Sequence, residues 1–337
     1  MIAILGAGIA GTSLAWALTS EGYGDVEVYD PNGFASGSTT RATGGFRTQF
    51  ASELNVGLSL ASRPFFTEHA RQIDFLSCGY ALVAVRTDDR HSLDQWMRIQ
   101  SGLGLPVERR SATECFPFIN FGAEAECNFC PLDGVFDPSK LLVLFRSMAE
   151  AGGARFHFGR SFTDIDRVEA VVIAAGAWSP EVAAAFGIDI AIQAEKRRVW
   201  LLDGLPMPST MPLGVDLDGG WVFRQRAGRF LLASPALTGD QDPLVDWARR
   251  RLPAEIAPRV ADSWEGLYEV TPDRHPYVGR TKDPKIWLSC GFSGHGIMHS
   301  PAVAQALADQ LVGASSTLDI SALSPRGPRP PHEPTNL

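Results

Sequence analysis

Three glycines and one carboxylate have the types and spacing that most directly imply chemistry. Gly6, Gly8 and Gly11 lie in the run Gly6-Ala7-Gly8-Ile9-Ala10-Gly11, and Asp30 follows nineteen positions after Gly11. Gly6 permits a sharp turn, Gly8 keeps a side chain away from a pyrophosphate, and Gly11 lets a helix lie against a strand. The N-terminus of the helix that follows offers free N–H groups and a positive dipole end to phosphate. Asp30 is placed to accept hydrogen bonds from two ribose hydroxyls. This is a dinucleotide site. A second set, Gly291-Phe292-Ser293-Gly294-His295-Gly296-Ile297, precedes Ser300-Pro301. Its glycines allow a flat ring to approach the backbone, and a helix N-terminus beside it stabilises negative charge. His295 reads either as a partner of ring or substrate, or as a loop histidine satisfied by backbone. A third set is the polar loop Pro31–Gly45, with Ser38, Thr39, Arg41 and Thr43 available to wrap a ligand. It ends in Gly44-Gly45-Phe46-Arg47, which sets a cation beside whatever the glycines approach.

The elements that must position these groups follow from the apolar pattern. Ile2–Leu5 is a strand, Thr12–Ser20 a helix, and Val26–Tyr29 a second strand ending at Asp30. Glu53–Gln72 has helical periodicity, kinked or divided at Pro64. Tyr80–Val85 and Ala125–Phe129 read as strands, Ser92–Gly102 and Ser111–Phe116 as helices. Asp137-Pro138-Ser139 opens a helix through Ala151. Val168–Ala175 is an unbroken apolar run of the kind buried on both faces of a parallel sheet. Gly176 and Trp178 follow it, then Ser179-Pro180 as an N-cap and first-turn proline. Ile190–Leu202 and Gly220–Ala233 alternate, the latter a hairpin through Ala227-Gly228. There Trp221 and Phe223 share one face, Val222 and Arg224 the other. Pro243–Arg251 is helical, Ile286–Ser289 a strand, and Ser300-Pro301 caps a helix through Leu311. The proline-rich stretch 325–337 reads as disordered.

The bulk composition excludes several classes. The chain has 337 residues and a net charge of −8, which argues against nucleic acid or an anionic membrane as the main partner. No run approaches the roughly 20 apolar residues of a membrane span. All but four of its 30 basic residues are arginines, a bias compatible with gripping a carboxylate. Five cysteines, with no signal peptide, suggest reduced thiols and a cytoplasmic setting. Cys127 and Cys130 lack a second ligand pair at metal-site spacing, so no metal is expected.

With both ends in view, the sequence resembles the FAD-dependent amine and amino-acid oxidoreductases that include D-amino-acid oxidase, sarcosine oxidase and dimethylglycine dehydrogenase. Four stretches carry the likeness: ILGAGIAG…VYD, GSTTRATGGFRTQF, VVIAAGAWSP and GLYEVTPDRHPYVG…CGFSGHGIMHSPA. It looks nearest the sarcosine oxidase β-subunit-like branch. The resemblance implies an α/β (α+β overall) fold: a Rossmann-like FAD-binding domain from 1–50, 131–185 and 264–324, and a substrate domain on a mixed or antiparallel sheet from 51–130 and 186–263. It implies FAD contacts from Gly6, Gly8, Ile9, Ala10, Gly11, Asp30, Ser38, Thr39, Arg41, Thr43, Gly44, Gly45, Ala175, Gly176, Trp178, Gly291, Gly294, His295, Gly296 and Ile297.

The implied reaction moves a hydride from the carbon beside an amine to flavin N5, giving an imine that hydrolyses. Arg47 is the first candidate for a substrate carboxylate and Arg224 the second. Tyr268 resembles the family's active-site aromatic residue. Met298 stands where monomeric sarcosine oxidase has a carboxylate-binding lysine, and Gly266 where that enzyme attaches flavin through cysteine. No histidine precedes His69. Non-covalent FAD is therefore expected. The substrate is a small amine or amino acid, and the electron acceptor O2 or a carrier. Lys196 is the one lysine of the substrate sheet, which leaves oxidase and dehydrogenase equally open. The alternative is an FAD-binding subunit of a hetero-oligomeric amine dehydrogenase that needs a partner subunit.

Overall fold

The computed structural model describes residues 1–208, 210–237 and 243–334. Its first sheet grows from the opening strand Ile2–Leu5, which pairs in parallel with Val26–Asp30 on one side and Ala170–Ile173 on the other. Arg155–Phe158 extends one edge. Ile286–Cys290 and the antiparallel Tyr277–Arg280 extend the other, making six strands. Ile2–Leu5 and Ala170–Ile173 are buried throughout, because both faces are covered. Leu14 and Leu18 of the helix Ile9–Ser20, with Val303 and Leu307 of the helix Gly296–Val312, pack one face. Ala183, Ile190 and Cys290 pack with the other.

The second sheet has eight strands in the order Arg259–Val270, Gln193–Asp203, Arg229–Ala233, Trp221–Arg226, Leu213–Asp216, Tyr80–Ala84, Glu126–Cys130 and Glu108–Ser111. All its neighbours are antiparallel except Leu213–Asp216 with Tyr80–Ala84. Alternation separates its faces as the sequence implies. Trp221 and Phe223 join Trp200, Phe230 and Trp247 in one core, while Val222 lies with Leu213 and Leu231 in another. Ala227 and Gly228 both have positive φ, the geometry of a two-residue hairpin turn matched to strand twist. Gly45–Phe46 pairs with Gly134–Val135 in a small ladder of its own.

Several expectations need correction. The strand Arg259–Val270 runs through the 263/264 boundary drawn between the domains and belongs wholly to the eight-stranded sheet. The helix Glu53–Glu68 continues through Pro64 and stops at His69. The final long helix begins at Gly296, not at Ser300-Pro301. Pro301 cannot donate to the carbonyl of Ile297, and the Ser300 hydroxyl takes that acceptor at 2.9 Å. Ser179 is the first residue of its helix rather than the cap, which is Trp178.

The stretch 325–334 is not disordered. Arg329 binds the Asp273 carboxylate at 2.7 and 3.0 Å, and Glu333 is fully buried; residues 335–337 lie outside the described residues. Among the described residues no helix is long and apolar enough to cross a membrane.

A Cβ at Gly11 would stand 2.0 Å from the Gly6 carbonyl oxygen, whereas one at Gly57 would meet nothing within 4 Å. Gly11→Ala is expected to lower stability by about 1–3 kcal/mol or more, since the collision is with backbone. Gly57→Ala, in an open helical position, should raise it by ~0.4–1 kcal/mol. Thermal unfolding of both variants measures the contrast, and equal midpoints would contradict the close helix–strand contact.

Candidate active site

The two sheets enclose one cavity of about 810 Å³ whose walls come from all three glycine-rich segments. At the glycine turn, Asp30 Oδ2 accepts from the Ala7 N–H at 2.9 Å and Oδ1 from the Asn32 N–H at 2.9 Å. Thr39 Oγ1 accepts from the Ile9 N–H at 3.1 Å. The polar loop, read as one that could wrap a ligand, thus also holds the glycine turn. Two helix N-termini open onto the cavity, capped at Gly8 and His295. Neither has a side-chain cap or an acidic residue in its first turn, so their dipoles are left for an anion. A Cβ at Gly8 would meet only Thr39 Oγ1, at 3.5 Å, and one at Gly176 would meet nothing. Both glycines line the cavity, so side chains there would fill space that a bound dinucleotide requires.

Arg47 lines the cavity, as do Tyr80, Val222, Leu267, Tyr268 and Met298, and the two tyrosines lie near enough to act on its charge. Its guanidinium is buried and sits over the Phe50 ring at 4.0 Å. Nη1 donates to the Gln49 carbonyl at 3.2 Å, and Nη2 has no partner among the described residues. Burial lowers its pKa, opposed by Tyr80, Glu333, Asp133 and Tyr268. The segment is fixed from behind by Asp133, which accepts from the Thr48 N–H and hydroxyl, both at 2.7 Å, and from Gln49 Nε2 at 3.2 Å. Burial pushes Asp133 up to about 6. Tyr268 carries the Arg197 guanidinium 4.5 Å over its ring.

Most of the expected residues reach the cavity: Gly6, Gly8, Ile9, Ala10, Asp30, Ser38, Thr39, Arg41, Thr43, Gly44, Gly45, Arg47, Ala175, Gly176, Trp178, Tyr268, Gly294, Gly296, Ile297 and Met298. Gly11 and Gly291 do not line it. Gly11 serves the helix contact, and a Cβ at Gly291 would lie 2.5 Å from Thr271 Cγ2. His295 is buried, edge-on to Phe50, with neither ring nitrogen partnered among the described residues. Burial holds its pKa well below the usual histidine range. Arg224 also stays outside the lining; its Nη1 donates to the Gly44 carbonyl at 3.0 Å, so it supports the glycine segment rather than facing a substrate. Its pKa falls to about 10 through burial. Cys127 Sγ lies 3.4 Å from Cys115 Sγ, not beside Cys130, whose Sγ is 3.5 Å from Thr48 Oγ1.

Sequence reasoning missed Tyr80 and Glu269. Tyr80 sits in an apolar strand and looked like core. Glu269 follows Tyr268, lines the cavity and accepts from the Gly291 N–H at 2.8 Å. Burial pushes its carboxyl up to about 7. The available signal was an acid inside the otherwise apolar run Leu267–Val270.

A family model described as "FAD dependent oxidoreductase" matches residues 1–310. The chain is 26% identical to the FAD-dependent oxidoreductase domain-containing protein 1 of Xenopus laevis, over 96% of this chain and 81% of that protein. It is 25% identical to the glycine oxidase of Geobacillus kaustophilus (strain HTA426), over 96% of each. The L-proline dehydrogenase of P. horikoshii superposes with a TM-score of 0.84 at 22% identity, over 96% of both chains.

The raised Glu269 carboxyl has a pH signature. Between its ordinary value of 4.5 and about 7, the unfolded chain loses this proton while the folded chain keeps it. Stability therefore falls as pH rises through that window and levels off above it. Glu269→Gln lacks the titration. Its melting temperature relative to the parent is expected to rise between pH 5 and pH 8, and an unchanged difference would contradict the buried acid.

Proposed function

The chain belongs to the FAD-dependent oxidoreductase family, and we propose that it oxidises the carbon–nitrogen bond of a secondary or tertiary amino acid or a related amine. The observation that carries this reading is Arg47: a buried guanidinium with an unpartnered Nη2 at the cavity wall. An isolated buried charge is costly unless something completes its hydrogen bonding, and a substrate carboxylate is the natural anion to do so. Tyr80 and Tyr268 line the same cavity, and their hydroxyls are suited to orient that carboxylate. Met298, Val222 and Leu267 add apolar wall, which suits a substituent on nitrogen or a ring better than a second charge.

FAD fits the residues present: two uncapped helix N-termini, the Gly8 and Gly176 clearances, and Asp30 at the glycine turn. When bound, FAD supplies the hydride acceptor at N5. The protein's part is to bind the carboxylate at Arg47, hold the amine-bearing carbon in place and keep water away with the apolar wall. The product imine then hydrolyses. Neither cysteine nor histidine lines the cavity among the described residues, which supports non-covalent attachment. Acid precipitation is expected to leave the yellow colour in the supernatant; a yellow pellet would overturn that.

Anaerobic bleaching of the flavin across N-methyl, cyclic and D-amino acids tests the reaction, repeated with O2 and with an artificial acceptor. Bleaching by carboxylate-bearing amines is expected. Bleaching by none would favour a subunit that acts only with a partner. Arg47→Met should raise KM for such a substrate by about 30-fold or more, the factor for ~2 kcal/mol at the low end of truncating a buried charge pair. An unchanged KM would remove Arg47 from the substrate site.

A further inference from the structure

The stretch from Pro325 to Pro334 packs against the segment just after Arg47 and the turn that follows Tyr268 and Glu269. Arg329 grips Asp273 through two nitrogens and also donates to the carbonyls of His275 at 2.7 Å and Pro276 at 3.1 Å. The His275 Nε2 lies 3.0 Å from the Pro331 carbonyl. These bonds tie the stretch to the turn that follows Tyr268 and Glu269.

Glu333 then makes a second set of bonds. Its carboxylate accepts from the Ala51 N–H at 3.0 Å, the Ser52 N–H at 3.1 Å, the Ser52 hydroxyl at 2.6 Å and Asn55 Nδ2 at 3.0 Å. These donors form the N-terminal turn of the helix Glu53–Glu68 and the residues just before it. Free N–H groups at a helix start favour such an anion. The Glu333 N–H donates to the Asp273 carbonyl at 3.0 Å. One residue thus joins the segment that carries Arg47 to the turn that follows Tyr268.

The route to Arg47 is short. Ala51 is next to Phe50, and the Phe50 ring is the platform under the Arg47 guanidinium at 4.0 Å. Phe50 is fully buried, and its carbonyl accepts from Gln100 Nε2 at 2.9 Å. Gln49, on its other side, accepts from Arg47 Nη1 through its carbonyl. Holding Ala51 and Ser52 therefore holds the platform and one of the guanidinium's two anchors.

We propose that Glu333 is a positioning residue for Arg47, acting through Ala51, Ser52 and the Phe50 ring, so that the stretch 325–334 is part of the carboxylate-binding apparatus. This rests on the reading of Arg47 as the carboxylate partner. Glu333 makes no ion pair with Arg47, and its negative charge alone would weaken the pull on a second carboxylate. Position and charge therefore predict opposite effects when Glu333 is replaced.

The test uses the FAD-loaded full chain with acetate and benzoate as carboxylate probes and benzamide as the uncharged counterpart, read from the flavin spectrum. Glu333→Ala is expected to weaken benzoate binding on the order of tenfold, as small displacements of a binding group do. Benzamide affinity and FAD retention should stay as in the parent. Glu333→Gln keeps the shape and one acceptor oxygen, so it should fall between the two and serves if the alanine variant does not fold. Unchanged or tighter benzoate binding in the glutamine variant overturns the proposal, as does an equal loss for benzamide. Arg47→Met separates the two levels. Lost carboxylate binding there, with parent-like benzoate binding in Glu333→Gln, rejects only the role of Glu333; unaltered binding in Arg47→Met rejects the reading of Arg47 itself.

Discussion

A guanidinium removed from water, with no carboxylate in contact among the described residues, is the constraint on which the rest of the site depends. Burying an unpaired ion costs several kcal/mol even after relaxation, so the fold must surround Arg47 with partial compensation. The Phe50 ring offers its negative face, the Gln49 carbonyl takes one nitrogen, and Asp133, Tyr80 and Tyr268 shape the field. None neutralises the charge. The elements that supply these groups come from distant parts of the chain: the small ladder after Gly44, the first strand of the eight-stranded sheet, and the turn before Gly134. Charge burial explains why the segment 44–52 is tied down at so many points.

The cavity exists because two sheets of different construction meet. The parallel sheet provides backbone: glycine turns and helix N-termini at the ends of its strands, where N–H groups are free. The mixed sheet provides side chains, since alternation presents every second residue to one face. Tyr80, Val222 and Tyr268 reach the cavity in this way, and Glu269 does so beside the Gly291 loop. Arg224 links the two architectures by donating from the mixed sheet to the Gly44 carbonyl.

Much of this was legible in the residues. The glycine turn, Asp30, the polar loop and the apolar strand before Gly176 carry local constraints strong enough to be read directly. The hairpin at Ala227-Gly228 was equally plain. What escaped depended on partners far away in sequence. Proline usually marks a first helical turn, so Pro301 suggested a late start; the Ser300 hydroxyl, serving the Ile297 carbonyl, allows the helix to begin at Gly296. Glu269 is a single acid in an alternating strand, and only its burial against the Gly291 loop distinguishes it. The proline-rich composition of 325–334 pointed to disorder, because it offers no core of its own. It says nothing of Arg329 and Glu333, which bind a surface already built. His295 looked reachable because its loop is; its ring turns inward to Phe50.

The bonds of Glu333 also constrain the order of assembly. Its partners Ala51 and Ser52 precede it by 282 and 281 residues. Contacts so far apart in sequence close late, because the entropy of the intervening chain must be overcome first. During synthesis, the helix at Glu53 has no partner from Glu333 until the long intervening stretch of chain has been made. The parallel sheet is likewise interleaved, since Ala170–Ile173 and Ile286–Cys290 must join strands made far earlier. A nascent chain of this design carries an unfinished site while that stretch is made, and the cation at Arg47 gains its full surroundings only once Glu333 has joined.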